Sequence, residues 1–221
     1  MPPGHHAVVM AGVEPGASVA VVGDRAVGLC AVLAARRAGA ARIFALGRHA
    51  DRGAVAARFG ATDVLPADDP ATVELIREAT GGGVPAGAEC VGNQSALDLA
   101  LRVVRPGSRI GSVGVPSGVE QENLGRMFRH NVTLSAGVAP VRRYLDGLVA
   151  DVLAGELAPS PVLTADITLP EIADGYRAMD RPRRSRRPYA RDRKGSVTAF
   201  GSAATSLQPR IEGCEPCCAS P

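Results

Sequence analysis

The chain has 221 residues with 26 glycines, 17 prolines, no tryptophan and only 3% aromatic residues, so Ala, Val and Leu must fill its core. No apolar run approaches the roughly 20 residues of a spanning helix, and the starting MPPGHHAVV lacks the charged and apolar regions of a secretory signal; a cytoplasmic protein with no membrane partner is expected. The net charge of +3 averages two unlike parts: residues 1–180 hold 16 Arg and no Lys against 19 acids, a net of −3, whereas residues 181–221 hold nine Lys plus Arg against three acids, a net of +6.

In chain order, residues 1–15 read as a short helix and its exit. Residues 18–22 predict a strand, 26–38 a helix ending at Gly39, 42–46 a second strand, and 50–59 a helix closed by Gly60. A short strand follows at 62–65; Asp69 then caps a helix over 71–79, with Pro70 at its first position and Gly81-Gly82-Gly83 stopping it. A fourth strand at 86–91 leads through Asn93-Gln94-Ser95 into a helix over 96–104, ended by Arg105-Pro106-Gly107. Residues 109–113 and 132–136 predict a fifth and a sixth strand, and 142–154 a further helix. One more strand at 164–169 and a helix at 171–179 complete the body. Strands alternating with helices predict an α/β fold: a Rossmann-type doubly wound parallel sheet of six strands with helices on both faces.

Between the first strand and the first long helix stands VVGDRAVG. In a Gly-x-Gly-x-x-Gly turn the first glycine permits the bend, the second lets backbone approach a pyrophosphate, and the third lets helix and strand pack closely. Gly23 and Gly28 supply the first and third roles, and Arg25 stands in place of the second glycine. Arg25 has two readings: its side chain turns into solvent while the Cβ displaces the dinucleotide slightly, or its guanidinium reaches a phosphate.

The end of the second strand commonly carries an acid that holds the adenosine ribose. Here it reads Leu46-Gly47-Arg48-His49, with Asp51-Arg52 beyond. A small residue followed by cations suits a 2′-phosphate, so NADP(H) is expected in preference to NAD(H); the alternative is that Arg48 and Arg52 are solvated charges at a helix start.

Cys30 and Cys90 lie singly in apolar runs and read as buried thiols in a reducing compartment. Adjacent His5 and His6 point in different directions on a helix and read as polar helix-start residues rather than metal ligands. Cys214, Cys217 and Cys218 offer three thiols where a closed zinc site needs four ligands. From Arg181 the chain lacks any sustained period, so a disordered basic tail is expected. Its Arg, Pro, Ala, Ser and Gly content is also what GC-rich DNA yields in a shifted frame. With two aromatics, Tyr189 and Phe200, and no organised surface, specific nucleic-acid binding is not expected of it.

Gly4-His5-His6-Ala7, Glu14-Pro15-Gly16, Val19-Ala20-Val21-Val22-Gly23-Asp24, Ala26-Val27-Gly28-Leu29, Phe59-Gly60-Ala61-Thr62, Glu89-Cys90-Val91-Gly92, Arg105-Pro106-Gly107 and Gly175-Tyr176-Arg177-Ala178-Met179-Asp180 occur in that order. Together they resemble the cofactor-binding half of zinc-dependent alcohol dehydrogenases of the medium-chain dehydrogenase/reductase superfamily, over residues 4–180. The resemblance implies that Gly23, Asp24, Arg25, Ala26, Val27 and Gly28 hold the pyrophosphate, and that Gly47, Arg48 and Arg52 hold the adenosine ribose and its phosphate. It implies that Cys90, Val91 and Gly92 lie under the ribose, and that Val113, Gly114 and Val115 face the nicotinamide through their backbone.

In such enzymes hydride passes between the nicotinamide and an alcohol or aldehyde carbon polarised by zinc. The family's zinc ligands belong to a domain preceding the Gly4-His5-His6 stretch, so neither a catalytic residue nor a metal ligand is named here, and this chain alone is expected to be inactive. The resemblance further implies a homodimer through residues 132–136. The expected organisation is an N-terminal helix (1–15), a dinucleotide-binding domain (16–155), a partial return segment (156–180) and the tail (181–221). Alternatives are a non-catalytic nucleotide-binding or interaction module, a zinc-free quinone-reductase-like relative, and a methyltransferase using S-adenosylmethionine; the last would want an acid where Gly47-Arg48 stands.

Overall fold

Short β-branched and alanine-rich runs bounded by glycine become the strands of a parallel sheet. The computed structural model describes residues 1–119, 123–163 and 167–180, with side chains to Arg177. The strands are β1 (Ser18–Val22), β2 (Arg42–Gly47), β3 (Asp63–Pro66), β4 (Val84–Glu89), β5 (Val104–Ser112) and β6 (Thr133–Ala136). The helices are α1 (Pro2–Met10), α2 (Ala26–Arg37), α3 (Ala50–Phe59), α4 (Ala71–Thr80), α5 (Gln94–Val103), α6 (Leu124–His130), α7 (Val141–Leu153) and α8 (Ile172–Asp180).

All pairings are parallel and the order is β3-β2-β1-β4-β5-β6. The chain winds outward from β1 to β3, then crosses back to start β4 on the other side of β1. This is the doubly wound Rossmann topology, and the strand order reverses between β1 and β4.

Side chains alternate across each strand, so β1 feeds two cores. Val19 and Val21 pack with Ile43, Leu29, Val32 and the α1 residues Ala7 and Val8. Ala20 and Val22 pack on the opposite face with Phe44, Leu46, Ile76, Leu97 and Leu101. Burial on both faces explains why β1 reads as a continuous apolar run rather than an alternating one. Helix α1 docks through small residues: a Cβ on Gly4 would come within 2.5 Å of the α2 backbone at Val27 and Ala31.

Most predicted elements agree with the structure to within one or two residues. Gly60 closes α3 in the left-handed conformation, and the Asp69 carboxylate accepts from the Ala71 amide at 2.9 Å as α4 begins. Three differences have physical causes. Strand β4 ends at Glu89 instead of residue 91, because the Glu89 carboxylate bonds the next amides and turns the chain out of the sheet. Strand β5 begins at Val104, directly after α5, and Arg105-Pro106-Gly107 becomes an irregularity within its pairing to β4 rather than a separating turn. Helix α6, for which no element was predicted, has only seven residues, too few to repeat the helical spacing of Leu124, Met127 and Phe128, and buries none of them fully.

The chain divides into two units, residues 1–164 and 165–221. In the second, the strand expected at 164–169 is corrected in part: residues 164–166 lie outside the described residues, and Leu169–Glu171 is a 3-10 turn leading into α8. Pro170 at its start and a capping box between Thr168 and Glu171 initiate helix there rather than extended chain. The tail from Arg181, with Cys214, Cys217 and Cys218, lies outside the described residues. Among the described residues no helix is long and apolar enough to cross a membrane.

Candidate functional site

The turn after β1 sits at the point where the strand order reverses. Gly23 has φ +120°, a conformation L side chains rarely adopt, and its amide donates to the Leu46 carbonyl at 2.9 Å. A Cβ on Gly28 would fall on the Gly23 carbonyl oxygen, so the buried third glycine is fixed by helix–strand packing. Arg25 has φ −85° and ψ −178°, ordinary extended backbone, and caps α2 from its main chain. The missing middle glycine therefore costs no backbone strain. The Arg25 side chain is exposed at the groove wall. The first turn of α2 carries no acid and no side-chain cap, leaving its amides facing outward as an anion would require.

A groove of about 600 Å³ opens here over the carboxyl ends of β1, β2 and β4. Gly23, Asp24, Arg25 and Val27 line one side, Gly47, Arg48 and His49 the end by β2, and Cys90, Val91, Gly92, Asn93 and Ser95 the side by β4. Of the other residues singled out from sequence, Ala26 and Gly28 stand behind the turn in α2. Val113, Gly114 and Val115 follow β5, where a Cβ on Gly114 would collide with the Gly92 backbone. The Ser117 amide donates to the Gly92 carbonyl at 2.8 Å, joining the two loops.

Asp24 does more than the sequence suggests. Its Oδ2 accepts from the Arg48 amide at 2.8 Å, the His49 amide at 2.9 Å and the His49 ring at 2.7 Å. Its Oδ1 accepts from Arg52 Nη1 at 3.2 Å. Burial raises the Asp24 pKa, but the bonds from His49 and Arg48 outweigh it and hold the carboxyl below the usual range. The Arg52 guanidinium, expected to meet the cofactor, is thus engaged by an acid of the turn after β1.

Sequence reasoning did not assign Glu89 a role. It is 1% exposed at the end of β4, and its Oε1 accepts from the amides of Val91 (2.7 Å) and Gly92 (2.8 Å). Its Oε2 accepts from the Ser112 hydroxyl at 2.8 Å. An acid closing an otherwise apolar strand was the available signal. Beside it Cys90 is half-buried rather than fully buried as expected, and burial and then the Glu89 charge push its thiol above its ordinary range.

His5 and His6 are engaged in helix packing: His6 Nδ1 lies 2.8 Å from the Tyr144 hydroxyl, and the His5 ring stands edge-on to Tyr144 at 4.8 Å. Among the described residues no group of three or more His, Cys, Asp or Glu is placed to hold a metal ion.

The zinc-binding dehydrogenase family model matches residues 26–146. The chain is 34% identical over 202 residues to the "probable zinc-binding alcohol dehydrogenase Rv1895" of Mycobacterium tuberculosis, covering 87% of this chain and 51% of that protein. It is 33% identical over 177 residues to an S-(hydroxymethyl)glutathione dehydrogenase of Escherichia coli, covering 76% and 47% respectively. The solved alcohol dehydrogenase TADH of Thermus sp. ATN1 superposes with a TM-score of 0.75 at 32% identity, covering 80% of this chain and 52% of that one. The chain spans about half the length of the curated relatives it matches.

Proposed function

The chain belongs to the zinc-binding dehydrogenase family, and from that premise we propose that it binds a nicotinamide dinucleotide for an alcohol dehydrogenase-like hydride transfer. One observation carries the reading: the Gly23–Gly28 turn and the acid-free start of α2 open onto a groove of about 600 Å³ at the strand-order reversal. In such folds that crevice receives the ligand.

Gly23, Asp24, Arg25, Ala26, Val27 and Gly28 would cradle the pyrophosphate, with the α2 amides as donors. Gly47, Arg48 and Arg52 would meet the adenosine ribose. NADP(H) is our reading over NAD(H), because the end of β2 presents glycine and cations in place of an acid. Cys90, Val91 and Gly92 would lie beneath the ribose, and the backbone of Val113, Gly114 and Val115 beside the nicotinamide. When bound, the nicotinamide ring supplies or accepts the hydride. The residues named here position that ring and exclude water from it.

The described residues do not fit a zinc centre, so we assign them cofactor binding and name no catalytic residue or metal ligand among them. Residues 16–155 are taken as the dinucleotide-binding domain, cytoplasmic in location. The edge strand β6 is taken as the pairing surface for a second copy, which light scattering in solution would test.

Calorimetric titration of the full chain with NADPH, NADP⁺, NADH and NAD⁺ tests the central claim. Saturable binding below millimolar concentration supports it, and failure of all four to bind overturns it.

A further inference from the structure

The Asp24 carboxylate reaches from the turn after β1 across to the entrance of α3, where it gathers four donors: the amides of Arg48 and His49, the His49 ring and the Arg52 guanidinium, at 2.7 to 3.2 Å. Gly47 makes the crossing possible, since a Cβ there would come within 2.5 Å of the Asp24 Cβ. The place an acid at the end of β2 commonly fills is therefore filled by an acid belonging to another loop.

Two amides at a helix entrance, an imidazole and a guanidinium are also what a phosphate monoester would use. There is room for one. Asp24, Gly47, Arg48 and His49 line both the large groove and a second cavity of about 280 Å³ that runs along α3 to Gly53 and Val64. Asp68, exposed, borders both spaces as a further acid.

We propose that Asp24 is the residue that discriminates between the two dinucleotide forms, because its carboxylate occupies the donor set a 2′-phosphate would take. This rests on the dinucleotide reading above. A free 2′-hydroxyl gains an acceptor from Asp24, whereas a 2′-phosphate has to displace a like charge and recruit Arg52 and His49 from it. Asp24 therefore narrows, without reversing, the preference for NADP(H) that Arg48 and the absence of an acid on β2 give, and sets the size of that preference.

The test is titration of wild type and Asp24→Asn with NADPH and NADH, with thermal unfolding to verify that the variant folds. Asparagine keeps the shape that fits against Gly47 and removes the charge. The NADPH-to-NADH affinity ratio is expected to rise about tenfold or more, the scale set by removing one like charge within a few ångströms. Arg52→Gln in the Asp24→Asn background should cancel most of that gain. If both proteins bind both forms with an unchanged ratio, the role of Asp24 is overturned and the dinucleotide reading stands. If neither protein binds either form, the dinucleotide reading falls and takes this one with it.

Discussion

Gly47 abuts Asp24 so closely that a Cβ on Gly47 would lie 2.5 Å from the Asp24 Cβ and 2.9 Å from its Oδ2. The two positions are therefore complementary in size. Gly47→Ala is expected to destabilise the fold by about 1–3 kcal/mol through overpacking. Asp24→Gly should relieve most of the steric part of that cost. A double-mutant cycle by urea unfolding reads the coupling, and strictly additive effects would refute it.

Arg25 is unstrained and exposed at the groove wall. Arg25→Ala keeps the Cβ and removes the cation, so dinucleotide affinity should fall about threefold to tenfold, the worth of one charge-assisted contact. Arg25→Gly restores the usual turn residue. If Arg25→Ala binds more tightly than wild type, the guanidinium is an obstruction rather than a phosphate contact.

Glu89 is buried and satisfies two amides and a hydroxyl. Glu89→Gln keeps the volume but substitutes a neutral acceptor and brings a buried NH₂ toward donors. A loss of about 1–3 kcal/mol is expected in denaturant unfolding. Hydrogen exchange at the Val91 and Gly92 amides should accelerate beyond the global change. Equal acceleration everywhere would show that the carboxylate does not hold this loop.

Asp24 and Asp63 have folded-state pKa values below the ordinary 3.8. For Asp24 burial acts upward and the bonds from His49 and Arg48 prevail; for Asp63 the bonds from Arg42, at 2.9 Å each, lead. A depressed carboxylate contributes stability that is complete above its unfolded pKa and disappears as pH falls through the folded one. The share of stability these two carboxylates contribute should hold from neutral pH down to about 4 and decline below it, whereas His5, its pKa lowered chiefly by burial, should cost stability already as pH falls below the free imidazole value. Asp24→Asn should flatten part of that decline, as chemical unfolding across a pH series would show.

Much of this fold was legible because its signals are local. Gly60 ends a helix by its own conformation, Asp69-Pro70 opens one, and the run at 18–22 is apolar because both its faces are buried. Gly23 and Gly28 could be assigned roles because a strand–turn–helix fixes what each must do. The Asp24 network was not legible, since it joins residues 24, 48, 49 and 52 through a parallel strand pairing that sequence spacing does not announce. The role of Glu89 was not legible either, since its three partners are two amides of the loop after β4 and a hydroxyl at the end of β5. Helix α6 escaped because seven residues show the spacing of Leu124, Met127 and Phe128 only once.

A single carboxylate at Glu89 fastens the chain leaving β4 to the end of β5. The two strand ends on that side of the crevice are therefore tied to each other through one side chain. On the opposite lip a second carboxylate, Asp24, does the same between the turn after β1 and the entrance of α3, so each side of the crevice is braced by an acid that belongs to the neighbouring segment.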